Sequence, residues 1–167
     1  MECALPEIEA MNSKEQERFV AAMARNMATA HEGAGNVEIR SGAKNLIPGA
    51  SGFRHQVDVS VHTERDLILY ECKYWGGNVD PEAVLALAAR GVDIQGAHPN
   101  RSVSLNIVVS HDLTVGAQLL AKSFTIRCYV VKSAAQFRVG YKTDWAAAAV
   151  ENIALTESAH GELHPGP

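Results

Sequence analysis

Residues 54–73 read RHQVDVSVHTERDLILYECK, two strand-like runs on either side of a polar turn. Successive side chains of a β-strand point to opposite faces, so the apolar spacing predicts strands over Arg54–Val61 and Leu67–Lys73. The turn Thr63–Asp66 is short enough to join them as antiparallel neighbours. The stretch therefore predicts a β-hairpin, and we expect the rest of the fold to be built around it.

The hairpin also predicts which polar side chains meet. Gln56 and Asp58 share one face of the first strand, and Glu71 and Lys73 share one face of the second. If the residues that flank the turn pair directly, Asp58 lies opposite Glu71 and Gln56 lies opposite Lys73. Directly opposed residues have Cβ atoms roughly 4.5–5.5 Å apart. We therefore expect two carboxylates and a lysine in one small cluster.

Asp58, Glu71 and Lys73 are the candidate reaction centre. Carboxylates this close repel each other unless a cation lies between them, and Mg²⁺ prefers such oxygen ligands, with waters and a substrate phosphate completing its shell. Lys73 could orient or deprotonate an attacking water, or stabilise the charge of a phosphate transition state. Gln56 could contact that water or the Lys73 amine, although a polar residue on a half-exposed strand face equally needs no function.

The segments around the hairpin predict an alternation of helices and strands. Helices are predicted at residues 14–30, from the Asp80-Pro81 capping pair to the break at Pro99-Asn100, at 115–123, and from a cap at Thr143 or Asp144 to Leu155. Further strands are predicted at 36–41, 103–110, 126–131 and 137–142. The stretch 42–52 predicts a loop, in which Lys44, together with the following Arg54, is a candidate phosphate contact. The β-α-β order after the hairpin favours parallel pairing.

The composition is that of one globular domain. The chain has 167 residues, 47% hydrophobic and 20% charged, which is long enough for one sizeable core and short for two. We expect a loose N-terminus over residues 1–12, one domain over 13–155 and a flexible tail over 156–167. The net charge of -4 is not that of a strong nucleic-acid binder, so basic contact residues would have to be local.

Membrane and zinc-site classes are disfavoured. No apolar run approaches the roughly 20 residues that span a bilayer, and no basic segment followed by an apolar one opens the chain, which favours a cytoplasmic protein without a membrane partner. Cys3, Cys72 and Cys128 are odd in number and lie far apart, which indicates reduced thiols. The histidines show no metal-ligand spacing, so we expect solvated or capping roles for them.

The sequence resembles the PD-(D/E)xK nuclease superfamily and, within it, the Mrr-like restriction endonuclease group. The resemblance is carried by Ser51-Gly52, His55-Gln56-Val57-Asp58-Val59, Glu71-Cys72-Lys73-Tyr74-Trp75 and Val79. It continues through Val84-Leu85-Ala86-Leu87, Ile107-Val108-Val109-Ser110, Gly116-Ala117 and Ala121, and so covers residues 13–132. One departure is Val57, which stands where the family has a proline before its catalytic aspartate.

The resemblance implies a restriction endonuclease-like three-layer α/β sandwich, with a mixed central sheet flanked by helices in the order αβββαβαβ. It implies that Asp58 and Glu71 bind Mg²⁺ or Mn²⁺ and that Lys73 serves the water and the scissile phosphate. A glutamate of the first helix also helps to bind metal in the family. Glu17 is preferred to Glu15 because the residues after it have the family's spacing, although helical geometry does not separate the two.

The function that the resemblance implies is Mg²⁺-dependent hydrolysis of DNA phosphodiester bonds by an endonuclease-like deoxyribonuclease, with the Cys72 carbonyl as a further candidate metal ligand. The alternative is a catalytically inactive domain of the same fold that binds nucleic acid or a protein partner. Cutting both strands of a duplex usually needs two active sites, so we expect a homodimer. Trp145 and Ile153 of the last predicted helix could form its interface or could close the core.

Overall fold

The structure is a computed structural model that describes residues 13–32, 37–73, 77–133 and 136–140. Its elements are α1 (Ser13–Glu32), β1 (Glu38–Ser41), β2 (Leu46–Pro48), β3 (Arg54–Gln56), β4 (Val59–His62), β5 (Asp66–Lys73), α2 (Pro81–Ala97), β6 (Ser102–Val109), α3 (Val115–Ser123), β7 (Arg127–Ser133) and β8 (Gln136–Gly140). The prediction of an α/β protein is confirmed. The expected helix over 143–155, with Trp145 and Ile153, and both predicted loose ends lie outside the described residues.

Six of the strands form one mixed sheet in the order β1-β4-β5-β6-β7-β8. The first three are antiparallel neighbours, whereas β5, β6 and β7 are parallel because α2 and α3 return the chain to the same end of the sheet. The last strand, β8, pairs antiparallel with β7. The carboxyl ends of β5 and β6 therefore lie together at one edge.

Helices cover both faces of this sheet. On one face α1 buries Val20 and Met23 against β4, β5 and β7, in a cluster that includes Val59, Tyr70 and Tyr129. On the other face α2 and α3 pack over β5, β6 and β7 in two further clusters. Among the described residues no helix is long and apolar enough to cross a membrane.

The predicted hairpin register is confirmed over β4 and β5. The pairing runs from His62 with Leu67 to Val59 with Tyr70, as a direct junction of the two strands requires. The turn is held by Thr63, whose Oγ1 accepts hydrogen bonds from the backbone N–H groups of Arg65 and Asp66 at 3.2 and 2.8 Å.

The prediction of one continuous strand from Arg54 to Val61 is wrong. The strand breaks at Val57 and Asp58, because the Val57 N–H donates to the Asn45 carbonyl at 3.0 Å and the Val57 carbonyl accepts from Asn45 Nδ2 at 2.8 Å. The side chain of Val57 packs with Ile47 and Ile94, so it does not share a face with the valines of β4.

The segment before the break forms a second, two-stranded sheet. β2 pairs antiparallel with β3, with Leu46 opposite Gln56 and Pro48 opposite Arg54. The prediction that residues 42–52 form a loop is therefore wrong for β2. Gln56 does not pair with Lys73 as predicted, because its backbone partner is Leu46.

The remaining helices follow their local signals closely. Asp80 caps α2 by accepting a hydrogen bond from the Ala83 N–H at 3.2 Å, and Pro81 opens the helix. Thr114 caps α3 in the same way through the Ala117 N–H. Serine, threonine and aspartate satisfy the free N–H groups of a first helical turn, which is why such caps are readable in the sequence.

Candidate functional site

Asp58 lies at the bend between β3 and β4, where the chain has left the sheet ladder. Its Oδ2 accepts a hydrogen bond from the Cys72 N–H at 2.8 Å. Cys72 stands between Glu71 and Lys73 in β5, so this bond ties the Asp58 carboxylate to the strand that carries the other two candidate residues. The side chain reaches β5 from beyond the last ladder pair, Val59 with Tyr70.

Glu71 is the centre of a charged cluster on the α2 face of the sheet. Its Oε1 lies 2.9 Å from Lys73 Nζ, and its Oε2 lies 2.5 Å from Arg90 Nη1. The Glu71 side chain is only 13% exposed, so these contacts are partly shielded from water. The structure thus brings Glu71 and Lys73 together and adds a second cation, from α2.

The Asp58 carboxylate is held in an environment that opposes its charge. Burial raises the pKa of Asp58 above its ordinary value, and the negative charge of Glu71 acts in the same direction. The Cys72 N–H, Lys73 and Arg90 favour the ionised form and partly offset this shift of the pKa. A carboxylate in such surroundings gains from an added cation.

Arg90 is the residue that sequence reasoning missed. It follows Leu87 by three positions and precedes Ile94 by four, so it lies at the edge of the buried face of α2. A Cβ at the next residue, Gly91, would lie 2.4 Å from Leu105 Cδ1, so a larger residue there would require the Leu105 side chain to move. The sequence does show that Arg90 lies at helical spacing from the apolar residues of α2. It contains no local pattern that identifies Glu71 as the partner of Arg90.

The other predicted site residues are Gln56 on β3, which pairs with Leu46 and not with Lys73, and the glutamates of α1. Gln56 is exposed on β3. Glu15 is an exposed residue of α1, whereas the side chain of Glu17 lies outside what the structure describes, so the preference between them stays a prediction. The helix that carries both packs on the face of Tyr70, opposite to the face of Glu71.

The donor set fits a hard divalent cation that keeps several of its own waters. Asp58 and Glu71 provide carboxylate oxygens, which are the ligands Mg²⁺ uses when it is bound by one or two protein groups and by substrate phosphate. Within the described ranges there is no cluster of three or more histidine, cysteine, aspartate or glutamate side chains that could enclose a metal. A role for the Cys72 carbonyl or for Glu17 as a further ligand stays a prediction.

A second polar cluster joins the loop before β3 to α2. Ser51 donates to Asp93 through its N–H at 2.8 Å and its Oγ at 2.7 Å, and His55 Nε2 lies 2.7 Å from Asp93 Oδ2. These bonds lower the pKa of Asp93 to about 2, with His55 the larger cause. Gly49 packs so closely that a Cβ there would lie 1.9 Å from Asp93 Oδ2.

This second cluster is a clamp and not a nucleophile relay. In a relay the histidine takes the serine proton, whereas here Ser51 donates directly to the carboxylate and its Oγ accepts from the Phe53 N–H at 3.2 Å. We call Ser51, His55 and Asp93 the loop clamp. Ser51 and His55 belong to the motif that precedes Asp58, but their common contact with Asp93 of α2 was not readable from spacing.

Comparison with known proteins adds information on the fold alone. A scan against protein-family models and a search of curated proteins gave no match. Among solved structures, the chain is similar to the crystal structure of a protein of unknown function, AF1548, with a TM-score of 0.54 and 16% sequence identity. The similarity covers 70% of this chain and 57% of that one, so the chain spans little more than half the length of its structural neighbour.

Proposed function

We propose that this chain is a metal-dependent deoxyribonuclease of the restriction endonuclease-like class that hydrolyses phosphodiester bonds, with Asp58, Glu71 and Lys73 at its reaction centre. The observation that carries the proposal is the hydrogen bond from the Cys72 N–H to Asp58. It holds one carboxylate beside the strand that presents the other carboxylate and the lysine.

The cluster suits the demands of phosphodiester hydrolysis. Mg²⁺ or Mn²⁺ held by Asp58 and Glu71 would stabilise the negative charge that develops on the phosphate oxygens. Lys73, whose Nζ lies 2.9 Å from Glu71 Oε1, would donate a hydrogen bond to the attacking water or to the scissile phosphate. Cys72, through its carbonyl, and Glu17 would complete the ligands in this proposal.

Arg90 places a second cation at the Glu71 carboxylate. Both oxygens of Glu71 already contact a cationic side chain, one from Lys73 and one from Arg90. Each carboxylate oxygen has two lone pairs, so Glu71 would bind a metal ion either through its remaining lone pairs or after one of these two side chains moves away. A released Arg90 guanidinium has the planar fork of donors that suits a phosphate, so it would then contact the substrate beside the scissile bond.

The test is cleavage of supercoiled, linear, single-stranded and branched DNA with Mg²⁺ or Mn²⁺. We expect wild type to cut at least one substrate, and Asp58→Ala and Lys73→Ala each to slow cutting at least about a hundredfold. Glu64→Ala and Lys122→Ala are matched controls, because both residues are exposed and lie away from the cluster. Cleavage that persists in Asp58→Ala, or in the presence of a chelator, would contradict the proposal.

A second candidate function is a catalytically inactive domain of the same class that binds nucleic acid or a protein partner. The observation that favours it is the double ion pair of Glu71, which satisfies this carboxylate without metal. In that case wild type cuts none of the substrates, and Asp58→Ala binds its partner as tightly as wild type does. Sedimentation of the wild-type chain would test the homodimer expected of an enzyme that cuts both strands.

A further inference from the structure

The β2–β3 ribbon, residues 44–56, presents one face to solvent directly before the candidate site. Leu46, Pro48, Arg54 and Gln56 are exposed on this face, whereas Ile47 and His55 alternate toward the protein. The inward residues pack on α2 through the cluster that contains Ile94 and through the loop clamp. The outward face is therefore held in place by the packing of the inward residues on α2, and none of the described residues covers it.

The charge of this face is opposite to that of the chain as a whole. The ribbon, residues 44–56, contains Lys44 and Arg54 and no aspartate or glutamate, although the net charge of the chain is -4. Both basic side chains are exposed, Lys44 in the turn before β2 and Arg54 at the start of β3. The carboxylate beneath the ribbon tip, Asp93, is engaged by Ser51 and His55. The ribbon is thus locally suited to a polyanion.

An aromatic side chain stands at the tip of the ribbon. Phe53 is 65% exposed, and its ring meets the edge of His55 with centroids 5.0 Å apart and planes at 68°. The loop clamp fixes the backbone on both sides of Phe53, because Ser51 accepts from the Phe53 N–H and His55 contacts Asp93. An exposed ring on a backbone held in this way loses less conformational entropy on stacking against a flat partner than a ring on an unsupported loop would.

The ribbon is also joined to the candidate site at two points. Gln56 is two residues before Asp58 in the chain, so a ligand that lies along β3 is led toward the Asp58 carboxylate. Arg90 of α2 contacts Glu71. Three residues later in the same helix, Asp93 binds His55 of the loop clamp. One helix therefore positions both the charged cluster and the ribbon tip.

We propose that the β2–β3 ribbon is a nucleic-acid contact element, in which Lys44 and Arg54 contact phosphates and Phe53 stacks on an accessible base of a DNA strand. This inference rests on the proposed function for its choice of nucleic acid as the partner. It extends that function by assigning to the site a substrate with an unpaired or unstacked base a few nucleotides from the cleaved bond, since β3 separates Phe53 from Asp58 and an aromatic ring stacks on a base only where the base is exposed.

The test measures binding of the full chain to a fluorescent forked DNA, a duplex that ends in single-stranded arms, in a chelator so that no cleavage occurs. We expect Phe53→Ala to weaken binding about fivefold or more and Phe53→Trp to restore it, because a larger ring also stacks. The matched control is Phe124→Ala, since Phe124 is 47% exposed at the far end of α3.

The basic residues are tested in a salt series. We expect the double variant Lys44→Ala, Arg54→Ala to bind more weakly and to reduce the steepness of the plot of log affinity against log salt by about 1.5, as for two lost phosphate contacts. The double variant Arg65→Ala, Lys122→Ala, which removes two exposed basic residues elsewhere, should leave the slope unchanged.

The outcomes separate this inference from the proposed function. If wild type binds and cuts DNA while the ribbon variants bind like wild type, the ribbon proposal is wrong and the nuclease proposal stands. If the ribbon variants lose binding and no substrate is cut, the ribbon proposal stands and the nuclease proposal fails. If wild type binds no DNA, or if a protein partner protects the ribbon instead, the ribbon proposal is overturned.

Discussion

At the scale of single residues, the ionised form of Asp58 lowers the stability of the folded state. Burial and the nearby Glu71 raise its pKa, so the folded state retains this proton at a higher pH than the unfolded chain does. The stability of the fold therefore decreases as the pH rises from the ordinary value through the raised pKa of Asp58. The proposed role of Asp58 in a reaction centre would explain why such a conflict between charge and stability is retained.

The first prediction follows from the raised pKa of Asp58. Asp58→Asn removes the buried charge and keeps an oxygen for the Cys72 N–H. Without divalent metal at neutral pH, we expect the Tm of the variant to exceed that of wild type by a few degrees, while metal-dependent cleavage is lost. Thermal unfolding followed by circular dichroism measures the change, with the exposed Glu64→Gln as the control. A Tm equal to or below that of wild type would count against the assigned environment of Asp58.

At the scale of elements, the break between β3 and β4 positions Asp58 relative to β5. Asn45 holds this break, because its Nδ2 donates to the Val57 carbonyl at 2.8 Å and its Oδ1 accepts from Ser60 Oγ at 3.1 Å. Asn45 is nearly fully buried, so these groups depend on one another for their hydrogen bonds. Asn45, which directly precedes β2, is thereby bonded to Val57 in the break and to Ser60 in β4.

The second prediction concerns the hydrogen bonds of Asn45. Asn45→Ala leaves the Val57 carbonyl and Ser60 without their side-chain partner, so we expect a loss of about 2–3 kcal/mol in the free energy of unfolding. We also expect cleavage to fall, because Asp58 is then less well positioned beside Cys72. Urea denaturation measures the first effect, and Asn100→Ala, at an exposed turn, is the control. A variant as stable and as active as wild type would show that the break needs no support from Asn45.

At the scale of the whole molecule, the pH dependence of stability is expected to follow His62. Burial lowers the pKa of His62 below its ordinary value of 6.5, and Arg40 acts in the same direction, against the opposing effect of Glu38. Its Nε2 lies 2.9 Å from Ser60 Oγ, in the polar network that contains Asn45. The folded state therefore favours the neutral ring.

The third prediction gives the sign of this dependence. The contribution of neutral His62 is fully present above its ordinary pKa and is lost as the pH falls through 6.5 toward the lowered value. Between roughly pH 7 and pH 5 we expect the free energy of unfolding of wild type to fall relative to that of His62→Gln, since the opposing contribution of Asp58, whose pKa is raised, is common to both proteins. Denaturation at a series of pH values measures both curves. Parallel curves for the two proteins would assign the acid sensitivity to other groups.

Much of this architecture was readable because it rests on contacts between neighbours in the chain. The polar turn placed β4 and β5 in the correct register, and the pair Asp80-Pro81 marked the start of α2. Alternation within β5 was sufficient to put Glu71 and Lys73 on one face. These features depend on backbone periodicity and on local hydrogen bonds, which a sequence determines by itself.

Tertiary structure decided which distant residues join these elements. The partner of Glu71 is Arg90, 19 positions away, and the partner of Ser51 is Asp93, 42 positions away. Likewise Val57 leaves the predicted strand, and its backbone N–H and carbonyl bond to Asn45, 12 positions away. Such contacts depend on how α2 and the ribbon pack on the sheet, and packing is a property of the whole chain, so no local pattern specifies it.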